Sequence, residues 1–343
     1  MNRLELSSLY QLTVTRFKLT LREPEAIFWI FVFPILLALG LGIAFRNRPA
    51  DVLPVGATTP RLVQALAADK GLRATEMDEA AGVRALATGN ILLLAVGNAN
   101  GVVYQYDDTN PDARTARMIA DHAIQVAAGR RDPVEVRNQL MHETGSRYID
   151  FLVPGLLGMN LMGSAMWGLG FSIVDARAKK LLKRMVASPM PRWQYLAAYL
   201  LARLIMLAIE VVVLLGFAWA VFRVPFRGPL AELALICVLS SLTFSALGLL
   251  VASRARTMEA VSGLMNVVMM PMWIMSGVFF SPTRFPLFLQ PLVQALPLTA
   301  AINAMRGNML QGTQLSHMMM PMAILLAWFA LPFAVSLRIF RWR

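Results

Sequence analysis

Six long apolar runs constrain this 343-residue chain more than any other feature of its sequence. A helix that crosses a bilayer needs about 20 consecutive apolar residues. Only one of the runs contains charged residues, Arg203 and Glu210. The pattern predicts an all-α polytopic membrane protein with six transmembrane helices. The runs are 26–45, 151–174, 195–222, 233–253, 260–280 and 318–337.

Composition agrees with a membrane protein and excludes several other classes. The chain is 57% hydrophobic and 15% charged, whereas a soluble domain is about 25% charged. A disordered chain, a disulfide scaffold and an ordinary cytosolic enzyme are therefore excluded. The single cysteine, Cys237, lies within an apolar run and is expected to be a small core thiol.

The distribution of charge predicts the topology. The net charge is +12, yet residues 46–149 hold 12 basic and 12 acidic residues, so the excess flanks the apolar runs. With the N-terminus inside, the four inside segments carry 4, 6, 2 and 3 Lys or Arg residues, and the two short outside segments carry 2 each. This fits the positive-inside rule. We expect a multi-pass protein of the bacterial cytoplasmic membrane with both termini in the cytoplasm, in contact with lipid and not with nucleic acid.

A seventh apolar stretch, Phe285–Met305, is broken by Pro286, Pro291 and Pro297. Proline removes a backbone donor and kinks a helix. Counting this stretch as a span would also move the basic C-terminus outside. We expect a re-entrant external hairpin over 282–305, before the sixth helix.

Two parts of the chain are predicted to lie outside the bilayer core. Residues 1–25 have apolar residues at helical spacing and predict an amphipathic helix on the cytoplasmic membrane surface. Residues 46–149, between the first two spans, alternate strand-like and helix-like runs and predict an α/β extracytoplasmic domain. The strand-like runs are 52–57, 91–96 and 102–106, and the helix-like runs are 61–68, 79–87, 113–128 and 134–142.

Signatures of enzyme chemistry are missing from the sequence. There is no G-x-x-x-x-G-K-[ST] phosphate loop, no G-x-S-x-G and no H-E-x-x-H, and the three histidines are far apart. We expect no catalytic residue, no metal site and no cofactor in this chain.

The inside loop 175–192 contains an amphipathic pattern. Its leucines and Met185 share one helical face, the basic residues lie around the other sides, and Pro189 ends the helix. Such a helix can dock on a partner protein or rest on anionic lipid, and the pattern alone leaves both open. The residues concerned are Arg177, Lys179, Lys180, Leu181, Leu182, Lys183, Arg184 and Met185.

Two sets of residues within the spans are candidates for a translocation path. Arg203 and Glu210 are seven residues apart, so we expect Arg203 to reach the inside surface and no direct pairing. Glu210 would make a structural contact or face the path as a charge or proton site. In the fifth span, Asn266, Met269, Met270 and Trp273 are spaced to share a face. That face would line a path for amphipathic cargo or pack in the ordinary way.

Several short blocks resemble those of one transporter family. The stretch Ser276-Gly277-Val278-Phe279-Phe280-Ser281-Pro282, followed by Leu296-Pro297-Leu298-Thr299 and Ala304-Met305-Arg306, is similar to the C-terminal signature of type-2 ABC exporter permeases. The inside loop, the entry Arg22-Glu23-Pro24 and the large domain between the first two spans also resemble that family.

The resemblance implies an ATP-binding-cassette exporter that moves an apolar or amphipathic drug-like or lipid-like substrate outward. A second permease chain, identical or paralogous, would complete the membrane part. ATP and Mg would bind to a separate cassette subunit that pushes on a coupling helix at 175–188. Two alternatives remain: a membrane scaffold or sensor, and an ion-coupled carrier that uses Glu210.

Overall fold

The protein is described by a computed structural model that covers residues 3–44, 52–98, 101–130, 147–180, 192–255 and 257–339. The chain divides into a membrane unit, Met1–Arg46 with His142–Arg343, and an α/β unit, Asn47–Met141. The described helices are α1 (Arg3–Arg22), α2 (Pro24–Ala44), α3 (Pro60–Ala67), α4 (Glu79–Ala87), α5 (Pro111–Ala127), α6 (Tyr148–Ala178), α7 (Arg192–Phe222), α8 (Leu230–Arg254), α9 (Met258–Met275), α10 (Gln290–Ala295), α11 (Pro297–Arg306) and α12 (Met319–Ile339).

Six of these helices are long and apolar enough to cross a membrane, one at each of the six predicted apolar runs, and the bent pair Leu287–Ala295 with Pro297–Gln311 would add a seventh if it formed one span. They are α2, α6, the 197–222 part of α7, α8, α9 and α12. Helix α6 is at the centre: 83% of its apolar window is buried, against 17% for α12. It packs against α2, α7, α8, α9 and α11, and Cys237 of α8 is a buried core thiol as expected.

Glycine allows α6 and α8 to approach very closely. A Cβ atom built on Gly248 of α8 would lie 2.9 Å from the carbonyl oxygen of Met166 in α6. Real Cβ atoms essentially never come that close to a main-chain oxygen. The two helices therefore meet backbone to backbone, as small residues permit in membrane proteins.

The fifth span ends earlier than the sequence predicted. Its helix, α9, stops at Met275 rather than continuing to Phe280, because Gly277 has a left-handed backbone (φ +81°). Glycine commonly ends a helix in this way. The turn that follows brings Val278, which is fully buried, against Gly155 of α6.

The proline-rich stretch after α9 is broken, as predicted. Two 3₁₀ turns, Pro282–Arg284 and Leu287–Leu289, lead into α10. The chain then bends by 82° before Pro297 begins α11, which continues into a π turn at Gly307–Gln311. The indole of Trp328 in α12 donates to Ala295 O at the bend (2.8 Å). A re-entrant path over 282–305 remains a prediction.

Helix α1 is confirmed as a helix and packs against α7. The Arg16 guanidinium lies 4.0 Å from the ring centroid of Tyr199 in α7, a cation–π contact. The apolar stripe does not form one covered face, since Leu21 is exposed. Its position on a membrane surface stays a prediction.

The α/β unit contains a four-stranded sheet. Strands β1 (Leu53–Ala57), β2 (Leu72–Glu76), β3 (Leu93–Asn98) and β4 (Gly101–Tyr106) lie in the order β2-β1-β3-β4, and only β4 is antiparallel. Parallel neighbours require crossover connections, which α3 and α4 provide. Alanines on one face of α5, Ala116 and Ala120, are fully buried in the sheet core.

Most of the predicted elements of this unit are confirmed, and one strand was missed. Strand β2 has the sequence LRATE, in which only Leu72 is buried. It offers no apolar run and is held by pairing with β1. The predicted helix at 134–142 lies outside the described residues.

Candidate functional site

An ion pair lies within the span formed by α7. Arg203 Nη1 is 2.6 Å from Glu210 Oε1, and the two side chains are 15% and 0% exposed. The sequence-based expectation of no direct pairing was wrong, and Arg203 does not reach away to the inside surface. Seven residues return a helix to nearly the same face. Side chains lean toward the N-terminus, so Glu210 points back toward Arg203, whose long side chain covers the remaining distance.

Two serines connect this pair to neighbouring helices. Arg203 donates from Nη2 to Ser164 Oγ of α6 (2.8 Å) and from Nε to Ser241 Oγ of α8 (3.2 Å). Ser164 Oγ lies 2.9 Å from Glu210 Oε2 and 2.7 Å from Asn160 O, so its one proton can go to either oxygen. The result is a hydrogen-bonded cluster across α6, α7 and α8, which we call the buried polar cluster: Ser164, Arg203, Glu210 and Ser241.

Sequence reasoning missed the two serines and Asn160. Asn160 of α6 donates to the carbonyl oxygen of Ile30 (3.1 Å), which lies in a π turn of α2, Phe28–Val32. Wide π turns disturb the regular pairing of carbonyls within a helix. A polar residue inside an apolar run was the available signal, but it does not say which neighbour it meets.

A second polar contact surrounds the end of α11. Arg306 donates from Nη2 to Gly277 O (2.6 Å) and from Nε to Phe151 O (3.2 Å). Its guanidinium carbon also lies 3.5 Å from the centroid of the Phe151 ring. One arginine therefore joins α6, the turn after α9 and α11. Gly277 and Arg306 come from two separate blocks of the family-like signature, which the structure brings together.

The four candidate path residues of α9 do not share one environment. Met269 is fully buried, Asn266 and Met270 are exposed, and Trp273 is half-buried. The helix face that these residues share is split here between the bundle core and the outside of the chain. Glu210 lies elsewhere, in the buried polar cluster.

The candidate coupling residues are described only in part. Arg177 donates from Nη1 to Ala255 O (2.6 Å) and Ala252 O (3.1 Å) at the end of α8. Lys179 pairs with Asp175 (2.9 Å), and Lys180 has a left-handed backbone (φ +55°) where α6 has ended. Leu181, Leu182, Lys183, Arg184 and Met185 lie outside the described residues.

Within the described ranges, no three His, Cys, Asp or Glu side chains come together as metal ligands would. The ring of His122 instead lies 2.9 Å from Arg130 Nη2.

Comparison with known proteins identifies the family. The model of the family described as "ABC-2 type transporter" matches residues 7–310, which is most of the chain. This protein belongs to the ABC-2 type transporter family. The family model describes a membrane subunit without its own nucleotide-binding site. In the described part of this ABC-2 chain, six helices are long and apolar enough to cross a membrane, as a multi-pass membrane protein requires.

Curated relatives match parts of this ABC-2 chain. The inner membrane transport permease YadH of Escherichia coli K12 is 30% identical over 170 residues, which are 48% of this chain and 64% of YadH. The probable multidrug ABC transporter permease YbhR of the same strain is 26% identical over 148 residues, 43% of this chain and 40% of YbhR. The linearmycin resistance permease protein LnrN of Bacillus subtilis 168 is 26% identical over 199 residues, 58% of this chain and 50% of LnrN. The chain thus spans less than two thirds of these relatives.

Proposed function

We propose that this chain is the transmembrane permease subunit of an ATP-binding-cassette exporter. The observation that carries the proposal is the family match over residues 7–310, which includes both the proposed coupling segment and the turn held by Arg306. ATP hydrolysis takes place on a separate cassette subunit, since the 343-residue sequence has no phosphate loop.

The cassette subunit docks on the segment 175–188, with α1 as a second contact. ATP and Mg bind to that subunit and not to this chain. Lys179 and Lys180 are exposed at the end of α6; Lys179 pairs with Asp175 on its own helix, so in this proposal Lys180 presents the positive charge to the partner. The apolar residues Leu181, Leu182 and Met185 supply the docking face in this proposal.

Transport moves an apolar or amphipathic substrate outward. YbhR and LnrN are named for multidrug transport and linearmycin resistance, which favours drug-like or lipid-like cargo. A second permease chain, identical or paralogous, covers the exposed side of α9, and the path runs along Asn266, Met270 and Trp273. The exposed amide of Asn266 supports this, because a polar group facing lipid is costly.

The proposed topology has both termini in the cytoplasm. The α/β domain of 46–149 is then extracytoplasmic, and the hairpin 282–305 enters the membrane from outside and returns. The 82° bend at Pro297 supports a hairpin rather than a straight span.

The test is purification of the tagged chain in lipid, expressed with its operon neighbours. A cassette subunit that copurifies and hydrolyses ATP is the expected result, and Leu181→Asp with Met185→Asp should release it. The matched control is Val83→Asp with Met118→Asp, which adds the same two negative charges at exposed positions of the α/β unit. Loss of the subunit in both double variants, or in neither, contradicts docking at this segment.

The ion-coupled carrier is a weaker candidate. Glu210 is fully buried and bound to Arg203 at 2.6 Å, so its charge is already balanced on its own helix. A proton carrier would instead need this carboxylate to change charge during transport. Cargo uptake or export driven by a proton gradient, with no cassette subunit present and abolished by Glu210→Gln, would favour the carrier.

A further inference from the structure

The last turn of α6 is attached to the last turn of α8 by one side chain. Arg177 Nη1 lies 2.6 Å from Ala255 O and 3.1 Å from Ala252 O. The final carbonyls of a helix have no partner within the helix. A guanidinium from α6 therefore caps α8, and its positive charge also suits the negative end of the helix dipole.

The attachment joins two helices that already pack tightly. Gly248 of α8 meets the main chain of Met166 in α6, so the pair is in backbone contact about two turns before the end of α8 and held by Arg177 at that end. Helix α7 is different: it packs far less extensively on α6 and on α8 than these two pack on each other, and its described polar links to them run through Ser164 and Ser241. The geometry divides the bundle into a firmly joined α6–α8 pair and a more loosely attached α7.

Arg177 also lies next to the proposed coupling segment. Helix α6 ends at Ala178, and Lys180 turns the chain with a left-handed backbone. The Arg177 guanidinium points to α8, whereas Lys179 next to it is exposed and pairs with Asp175. Arg177 is therefore placed to pass on a displacement of the segment rather than to form the docking surface itself.

We propose that Arg177 is a positioning residue that transmits movement of the coupling segment from α6 to α8, so that both helices move as one body. This rests on the proposed function, since it assumes that a cassette subunit moves the segment. It assigns Arg177 an intramolecular role in place of the partner contact expected from the sequence.

The first measurement tests the attachment without any partner. Spin labels on cysteines replacing Ala178 and Arg254, both exposed, report the distance between the two helix ends; Cys237 is buried and stays unlabelled. We expect a narrow distance distribution in the parent and a clearly broader one in Arg177→Gln. Arg61→Gln, at an exposed position of α3, is the matched control. Equal distributions in the parent and in Arg177→Gln would overturn the proposal.

The second measurement tests transmission in the complex with the copurified cassette subunit. A spin label at Leu201 of α7 is paired with one at Ala178 to measure the distance from α7 to α6. In a second sample it is paired with one at Arg254 to measure the distance from α7 to α8. Trapping with MgATP and vanadate should change both distances in the parent. In Arg177→Gln it should change only the α6 distance, and Arg177→Lys should restore part of the α8 change.

The outcomes separate the two proposals. We expect Arg177→Gln to lower the population of the shifted α8 state about tenfold, as loss of a typical coupling free energy would, while ATP hydrolysis continues. An unchanged α8 response in Arg177→Gln refutes transmission through this residue. If no cassette subunit copurifies, the proposed function fails, whereas the first measurement still decides whether Arg177 joins the helices.

Discussion

Removing the carboxylate of the buried polar cluster should destabilise the protein more than its small volume suggests. In Glu210→Gln, the Arg203 guanidinium keeps Ser164 and Ser241 as neutral partners but loses the counter-charge at 2.6 Å. Breaking a buried ion pair by removing one partner costs about 3–5 kcal/mol, because the remaining charge is uncompensated. A second change, Arg203→Met, removes that charge.

The double variant distinguishes the cost of an unpaired buried charge from other effects of the substitution. Replacing both members of a buried pair by neutral groups is often close to neutral, so Arg203→Met with Glu210→Gln should recover most of the lost stability. At roughly 2–4 °C per kcal/mol for a large domain, we expect the single variant to melt about 10 °C below the parent in lipid nanodiscs. Ser241→Ala, which removes one neutral acceptor, should cost about 1 kcal/mol. The reasoning is refuted if Glu210→Gln is as stable as the parent, or if the double variant is no better than the single one.

Three further predictions concern other contacts. Gly248→Ala should lower the melting temperature by forcing α6 and α8 apart, which costs about 1–3 kcal/mol of folding stability. Gly263→Ala, with open space around it, should not lower it. Equal effects of the two substitutions would contradict close packing as the cause. Arg306→Lys keeps the charge but cannot reproduce the planar fork, so thermal unfolding should show a loss of about 2 kcal/mol. Burial and the neighbouring Asp121 raise the pKa of Tyr104 to about 12. The neutral phenol is thus favoured in the folded state. Its contribution to folding stability is complete below pH 10 and is lost as the pH rises through 12. An ultraviolet titration of the full chain minus that of Tyr104→Phe should show this midpoint.

The spans could be predicted because bilayer thickness imposes length and apolarity directly on the sequence. Proline likewise predicted the break before α11, since its effect on a helix is local. The end of α9 was predicted five residues too late because the apolar run continues past Gly277, and hydropathy does not register a left-handed backbone.

The polar contacts could be predicted only in part. The sequence singled out Arg203 and Glu210 as costly residues but not their pairing, because the rise between two residues of a helix does not show how far their side chains lean and extend toward each other. The contacts of Ser164 and Ser241 with Arg203 depend on which helices become neighbours, and a single sequence does not show this. Strand β2 was missed for a similar reason: its pairing with β1 defines it, and its own residues offer no pattern.

The ion pair on α7 has a consequence for how the protein is made. Since Arg203 and Glu210 belong to the same helix, the span can neutralise its own charges before any other helix has arrived. A charge at the centre of a span costs about 2.5–3.5 kcal/mol when the segment partitions from the translocon into lipid, and Glu210 lies near the middle of the span 197–222. An opposite pair two turns apart offsets part of that cost within the nascent helix. We therefore expect the spacing of seven residues to lower the cost with which α7 enters the bilayer, even before α8 has been synthesised.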